Sequence, residues 1–282
     1  EETLARLPED ATLVEYYRAG DRIYAFVLGG GKATVRRLGA AGRVLTLARY
    51  TQFQLGRMRH AGPAKASPRM AIEHTQQHLR DLYTELVAPI APLVDRAHCE
   101  VVPHGILHGL PFHALFDGER YWGERHTIST APSSAVWLAA QEQESAGEEG
   151  ATSLVLGIAD GAAPQIRAEA ELVARLAPQA ALYLDGEATL ARLREGGASA
   201  ALLHIATHGR FRMDNPWFSS LRLGDGNLNL YDLYAMRLAA KLVVLSGCST
   251  GVGVVLGGDE LVGLIRGFLQ AGGRSALVLL WD

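Results

Sequence analysis

The sequence predicts an α/β protein built on a mainly parallel sheet. Short apolar runs, such as Leu202–Thr207 (LLHIAT) and Leu242–Ser246 (LVVLS), are bounded by small-residue turns and read as strands. They barely alternate polar with apolar side chains, as expected of strands covered on both faces. Beyond residue 150 these runs take turns with helical patterns, which is the βαβ signature of helices packed on a parallel sheet.

The first half of the chain is organised differently. TLVEYY (12–17), RIYAFVL (22–28) and ATVRRL (33–38) are β-branched and aromatic runs separated by turn residues, and they predict a small β-meander. The second separator contains Gly29-Gly30-Gly31-Lys32, but it lacks the G-x-x-x-x-G-K-[ST] spacing of a phosphate loop, so a hairpin turn is expected there. Residues 43–60 and 68–86 carry helical periodicity. His74 and His78 stand one turn apart on the second helix, with no third ligand spaced for a metal, and are expected on a solvated face. CEVVP (99–103) predicts a strand containing Cys99 as a small core residue. A dense turn-rich segment follows, in which His104, His108 and His113 are expected to be structural, because Gly105, Gly109 and Pro111 break any helix that would align them. A helix then runs through Trp137 and Leu138. The acidic tract 141–150 reads as a linker, dividing the chain into 1–149 and 150–282.

After that tract, SLVLGIA (153–159), ALYL (181–184), LLHIAT and LVVLS are strands, and SALVLLW (275–281) is a final one. Helices are expected over 167–176, 187–195, 231–236 and 260–271, with LRL (221–223) and LNL (228–230) framing a hairpin turn at Gly224-Asp225-Gly226.

The totals narrow the function classes. The chain has 282 residues, 48% of them hydrophobic and 20% charged, which is ample for a core. A net charge of −3 supplies no electrostatic ground for nucleic acid or anionic membrane as partner. No apolar run approaches the about 20 residues of a spanning helix. Two cysteines, Cys99 and Cys248, make no disulfide framework and suit a reducing compartment, so a cytoplasmic location is expected. The amino terminus carries no initiator Met and no secretory signal, and is expected to be an internal start within a longer protein.

The chemistry gathers at two strand ends. His208 follows LLHIAT directly and Cys248 comes just after LVVLS. In an open parallel sheet functional groups collect beyond the carboxyl ends of the strands. Were the two strands neighbours, an imidazole and a thiol would emerge side by side. A peptide thiol has a pKa of about 8.5, so only a few per cent is thiolate at neutral pH, and a nearby imidazole raises that fraction and can return the proton to a leaving amine. The backbone amides of Gly209 and Cys248 are the candidate oxyanion donors. Two rival motifs fail. Gly247-Cys248-Ser249-Thr250-Gly251 fits G-x-S-x-G, yet that fold places its His after the Ser, and all ten histidines here lie at or before His208. Gly251-Val252-Gly253 lacks the third glycine and the downstream acid of a dinucleotide site. No cofactor or metal is expected.

Taken together, HIATHGRF, SSLRL, LYDLYAMRL, VVLSGCSTG, GDELVGLIRGFLQAG and SALVLLW resemble the CHAT family of caspase-like cysteine peptidases, relatives of separase and the caspases. The earlier VVPHGILHGLPFHALFDG and ERHTISTAPSSAVW resemble the non-catalytic first half of the same domain. The resemblance implies a caspase-like three-layer α/β sandwich, preceded by that half and the β-meander. It implies a cysteine endopeptidase acting on a protein or peptide substrate, restrained by an upstream helical-repeat region of tetratricopeptide type or by a regulatory partner. Its alternative is a non-catalytic caspase-like scaffold in signalling. The resemblance matches His208 to the family's catalytic His, Cys248 to its nucleophile, and Gly209 with the Cys248 amide to its oxyanion hole; His204 falls at a structural position. Asp259 and Glu260 are expected to open the helix after the nucleophile and complement its dipole, or else to favour a basic side chain on the substrate. Two departures stand out: Gly247 replaces the usual alanine, and the sequence stops at Trp281-Asp282, where relatives continue with further strand and helix.

Overall fold

A computed structural model describes residues 2–60, 68–142, 151–210, 212, 215–247, 253–256 and 260–279. The chain divides into two compact units, Glu1–Leu138 and Ala139–Asp282. The expected linker lies outside the described residues from 143 to 150.

In the first unit a short helix α1 (Glu2–Ala5) precedes β1 (Ala11–Ala19), β2 (Arg22–Gly29) and β3 (Lys32–Ala40), then α2 (Ala41–His60), α3 (Pro68–Leu86), β4 (His98–Val102), β5 (Thr127–Thr130) and α4 (Ser134–Glu142). The hairpin turn between β2 and β3 carries Gly30 and Gly31 at φ +55° and +72°, the pair of positive values that a tight two-residue hairpin demands and that glycine adopts without strain.

The meander does not stand alone. β4 pairs in parallel with β1, and β5 with β4, giving a single mixed sheet in the order β3-β2-β1-β4-β5. β5 lies within the segment read as turn-rich loop; its four residues TIST are too short and too polar to stand out. β1 is central and therefore buried on both faces at its start. Val14 and Tyr16 face Val44, Ala48, Leu82 and Leu86, while Leu13 faces Val102, Ala131, Trp137 and Leu138. The Tyr16 hydroxyl donates to the Leu86 carbonyl at 3.1 Å, satisfying the one polar atom of a fully buried ring. Three 3₁₀ turns, at Gly105–Gly109, Phe112–Ala114 and Trp122–Glu124, insert Leu107, Phe112 and Trp122 into the same core. His104 packs its edge on Tyr17 and His78 stacks on Tyr50, while burial lowers the pKa of His113. Among the described residues no three His, Cys, Asp or Glu side chains are grouped to hold a metal ion.

The second unit is a parallel sheet, in the order β15-β12-β8-β6-β7, of β6 (Thr152–Gly157), β7 (Ala180–Leu184), β8 (Ala200–Ala206), β12 (Leu242–Ser246) and β15 (Ser275–Val278). Helices cover both faces. On one, Leu154, Leu203, Ile205 and Val243 pack with Leu193 of α6 (Leu190–Gly197), Leu230 and Leu233 of α7 (Leu230–Tyr234), and Leu264 and Phe268 of α8 (Leu264–Gln270). On the other, α5 (Gln165–Leu176) lies so close to β6 that a Cβ added at Gly157 would stand 2.7 Å from that of Ala170. Beside the sheet, β9 (Gly209–Arg210), β10 (Ser220–Leu223) and β11 (Gly226–Asn229) form an antiparallel ladder, which contains the expected hairpin.

Two expected helices start later than their sequences suggest. The helix placed at 187–195 begins at Leu190, capped by Thr189, whose hydroxyl accepts from Arg192 N at 3.3 Å. The helix placed at 260–271 begins at Leu264: Gly253–Leu256 and Glu260–Gly263 pair instead as an antiparallel hairpin, β13 and β14. Valines at 254, 255 and 262 favour that extended state, since β-branched side chains lose rotamers in a helix. Glu260 therefore sits in a strand, four residues ahead of the helix, and the expectation that it complements the helix dipole is corrected.

Candidate active site

The strands LLHIAT and LVVLS are neighbours. β8 and β12 pair in parallel with Ala206 opposite Ser246, and Thr207 N donates to Ser246 O at 2.9 Å. His208 is the second residue beyond Ala206, and Cys248 is the second beyond Ser246. Cys248 and Asp259 lie outside the described residues, as does the side chain of Glu260.

His208 is placed by backbone on both sides. Thr207, 2% exposed, donates its hydroxyl to Arg222 O at 2.7 Å, and His208 O accepts from Arg222 N at 3.0 Å. That second bond makes Gly209 and Leu221 a non-hydrogen-bonded pair of the β9–β10 ladder, so the N–H of Gly209 points away from β10. The His208 ring is about one-third exposed.

The ring faces a carboxylate that sequence reasoning did not single out. Asp160 follows β6, the other neighbour of β8, and its Oδ1 lies 3.1 Å from His208 Nε2. Nε2 is buried and meets no other polar partner among the described residues, so this carboxylate is the group it faces. Oδ1 also accepts from the amides of Ala162 and Ala163 at 2.9 and 3.2 Å, and Oδ2 accepts from Arg222 Nη1 at 2.7 Å. The His208 imidazole first, and then the Ala162 and Ala163 amides, hold the Asp160 carboxyl down at about 2. The loop bearing it is pinned as well: Ile158 N donates to Ala206 O at 2.9 Å and Ala159 N to Asp185 Oδ1 at 3.1 Å. The available signal was an Asp directly after the apolar run 153–159, at the carboxyl end of a strand.

His204, two residues from the end of β8, points to the opposite face. Its Nε2 lies 3.2 Å from Glu169 Oε1 on α5, and the ring is 4% exposed. Burial outweighs the carboxylate and lowers its pKa. It is a core residue of the α5 face and does not adjoin His208.

Residues 76–282 match the family described as the CHAT domain. Among solved structures, the Saccharomyces cerevisiae separase in its complex with securin shares this fold at a TM-score of 0.59 and 11% identity. The match covers 99% of this chain and 27% of that one. No curated protein matches this chain. The architecture is accordingly a caspase-like α/β sandwich.

Proposed function

From the premise that the chain belongs to the CHAT-domain family, we propose that it is a cysteine endopeptidase in which Cys248 attacks and His208 transfers protons. The observation that supports the reading is the register of β8 and β12, in which Ala206 pairs with Ser246, each two residues before His208 and Cys248 in the sequence.

In the proposed reaction His208 takes the thiol proton and the Cys248 thiolate attacks the scissile carbonyl carbon. The amides of Gly209 and Cys248 receive the developing oxyanion. The N–H of Gly209, turned away from β10, supports that role. As the C–N bond breaks, His208 returns its proton to the leaving amine and a thioester remains. Water, giving its proton to His208, then attacks the thioester and releases the carboxylic acid and the free thiol. No step uses a metal or cofactor. Asp259 and Glu260 follow the nucleophile in the chain, and their charge would favour a basic substrate side chain.

The separase structure holds a protein partner, securin, and this chain spans only part of separase, so restraint by an upstream repeat region or a protein partner belongs to the proposal. No described helix is long and apolar enough to cross a membrane, and a cytoplasmic site of action completes the reading.

The test is a peptide-library cleavage assay on the longest natural form of the protein, beside Cys248→Ala and His208→Ala. Cleavage lost in both variants establishes the dyad, and loss of a preference for basic residues in Asp259→Ala or Glu260→Ala assigns specificity. A full-length protein that stays silent with its activator present is a scaffold.

A further inference from the structure

We infer that Asp160 is the positioning residue for His208: its carboxylate fixes the imidazole with Nε2 inward and leaves Nδ1 as the nitrogen available to the thiol. The inference rests on the Cys248/His208 dyad proposed above. Three observations carry it.

The first is geometric. Asp160 and His208 stand beyond the carboxyl ends of adjacent strands, β6 and β8, with Oδ1 3.1 Å from Nε2. An imidazole must present one nitrogen to its reaction partner, and whatever holds the other decides which. The second is rigidity. Asp160 is bound by two amides of its own turn and by Arg222, and Arg222 is bound through its backbone to His208 and Thr207. The carboxylate and the imidazole are thus tied to one small frame made of β6, β8 and β10.

The third concerns charge. The turn after β6 requires only an acceptor, which asparagine or serine would supply equally well through the same side-chain-to-amide bonds. The carboxylate charge is left over from that structural task. It faces Arg222 on one side and His208 on the other. When His208 takes the thiol proton it becomes a cation 3.1 Å from that carboxylate, so the thiolate–imidazolium pair is favoured over the neutral pair. Depression of the Asp160 pKa to about 2 keeps the carboxylate charged throughout the working range.

The experiment measures iodoacetamide alkylation of Cys248 in the full-length protein from pH 5 to pH 9, read by mass spectrometry of its peptide. It therefore needs no substrate. Wild type is compared with Asp160→Asn, Asp160→Glu and His208→Ala. We expect Asp160→Asn to slow alkylation near pH 6.5 by about tenfold and move its profile toward that of a free thiol, with Asp160→Glu recovering part of the loss. Asp160→Ser, which keeps a turn acceptor without a charge, reads the same quantity if the Asn variant does not fold. An Asp160→Asn profile superimposed on wild type, while His208→Ala slows the reaction, overturns the positioning role and leaves the dyad standing. If His208→Ala also alkylates like wild type, the dyad itself fails and the role of Asp160 fails with it.

Discussion

Each unit of the molecule holds one cysteine and, on its own sheet, a histidine beside a carboxylate, yet the two arrangements are opposites. In the first unit Cys99 lies inside β4, between Thr12 and Ile128 on the flanking strands, and is fully buried. Burial, then the neighbouring Glu100, pushes its thiol up to about 12. His98, at the start of the same strand, lies 2.7 Å from Ser129 Oγ and 3.7 Å from Glu100. In the second unit His208 stands beyond the end of its strand, partly open to solvent, with Asp160 beyond the end of the next. The residue types are nearly the same. On the proposed reading their place along the strand decides the chemistry, because a thiol within the ladder is shielded, whereas the carboxyl ends of parallel strands border the crevice where ligands enter.

The largest effect expected from that difference is on cleavage. Cys248→Ala removes the nucleophile and should lower kcat/KM by about 10⁴-fold or more, whereas Cys99→Ala should leave cleavage intact. Comparable losses in both variants would mean that the contrast between the units is false. Thiol chemistry sharpens it without a substrate. A thiol with a pKa near 12 is ionised to only about one part in 10⁵ at pH 7, so Cys248 should react with iodoacetamide at least about 100-fold faster than Cys99 in the native protein. Equal rates, measured by peptide mapping, would remove the ground for activation.

The sequence made the second unit legible more readily than the first, for a physical reason. Strands buried on both faces, such as LVLG in β6 and LVVLS in β12, announce themselves by continuous apolarity, and their order with the helices implied a parallel sheet. His208 could be placed because it directly follows one of them. The mixed sheet of the first unit was hidden because β4 and β5 reach the meander through long-range pairing that leaves no local trace, and TIST carries almost no pattern. Asp160 does not stand out in the sequence, because an aspartate after a strand is ordinary turn chemistry; only the pairing of β6 with β8 brings it to His208. GDELVGLIRGF reads as a helix start, and only the pairing of β13 with β14 keeps Glu260–Gly263 extended.

Packing offers the next, smaller break point. Phe268 is fully buried among Leu230, Leu233, Leu238 and Val243 in the second unit, and Phe268→Ala should cost about 3–5 kcal/mol. Tyr16→Phe in the first unit keeps the ring and loses only its bond to Leu86 O, for about 1 kcal/mol. Denaturant unfolding followed by tryptophan fluorescence checks both. A Tyr16→Phe cost matching that of Phe268→Ala would show that the hydroxyl bond holds far more of the first core than its geometry implies.

The smallest effect has opposite signs in the two units. His98 has a raised pKa, chiefly through its close polar contact with Glu100 and then the charges of Glu100 and Asp10, against the pull of partial burial. Its contribution to stability is therefore fully present below the unfolded value of about 6.5 and is lost as pH rises through the folded value. His204 is lowered by burial, with Glu169 opposing. Below about 6.5 the unfolded chain takes up a proton that the folded ring refuses, so its contribution is lost as pH falls toward the folded value. His98→Gln should accordingly be more destabilising at pH 5.5 than at pH 8. His204→Met, whatever its packing cost, should be less destabilising at pH 5.5 than at pH 8, because wild type alone bears the acid-side loss. The comparison is read from urea midpoints of the three proteins at both pH values. If the two differences carry the same sign, one histidine is not held as its surroundings require: either Glu100 does not favour the charged His98 ring, or the α5 face does not exclude water from His204.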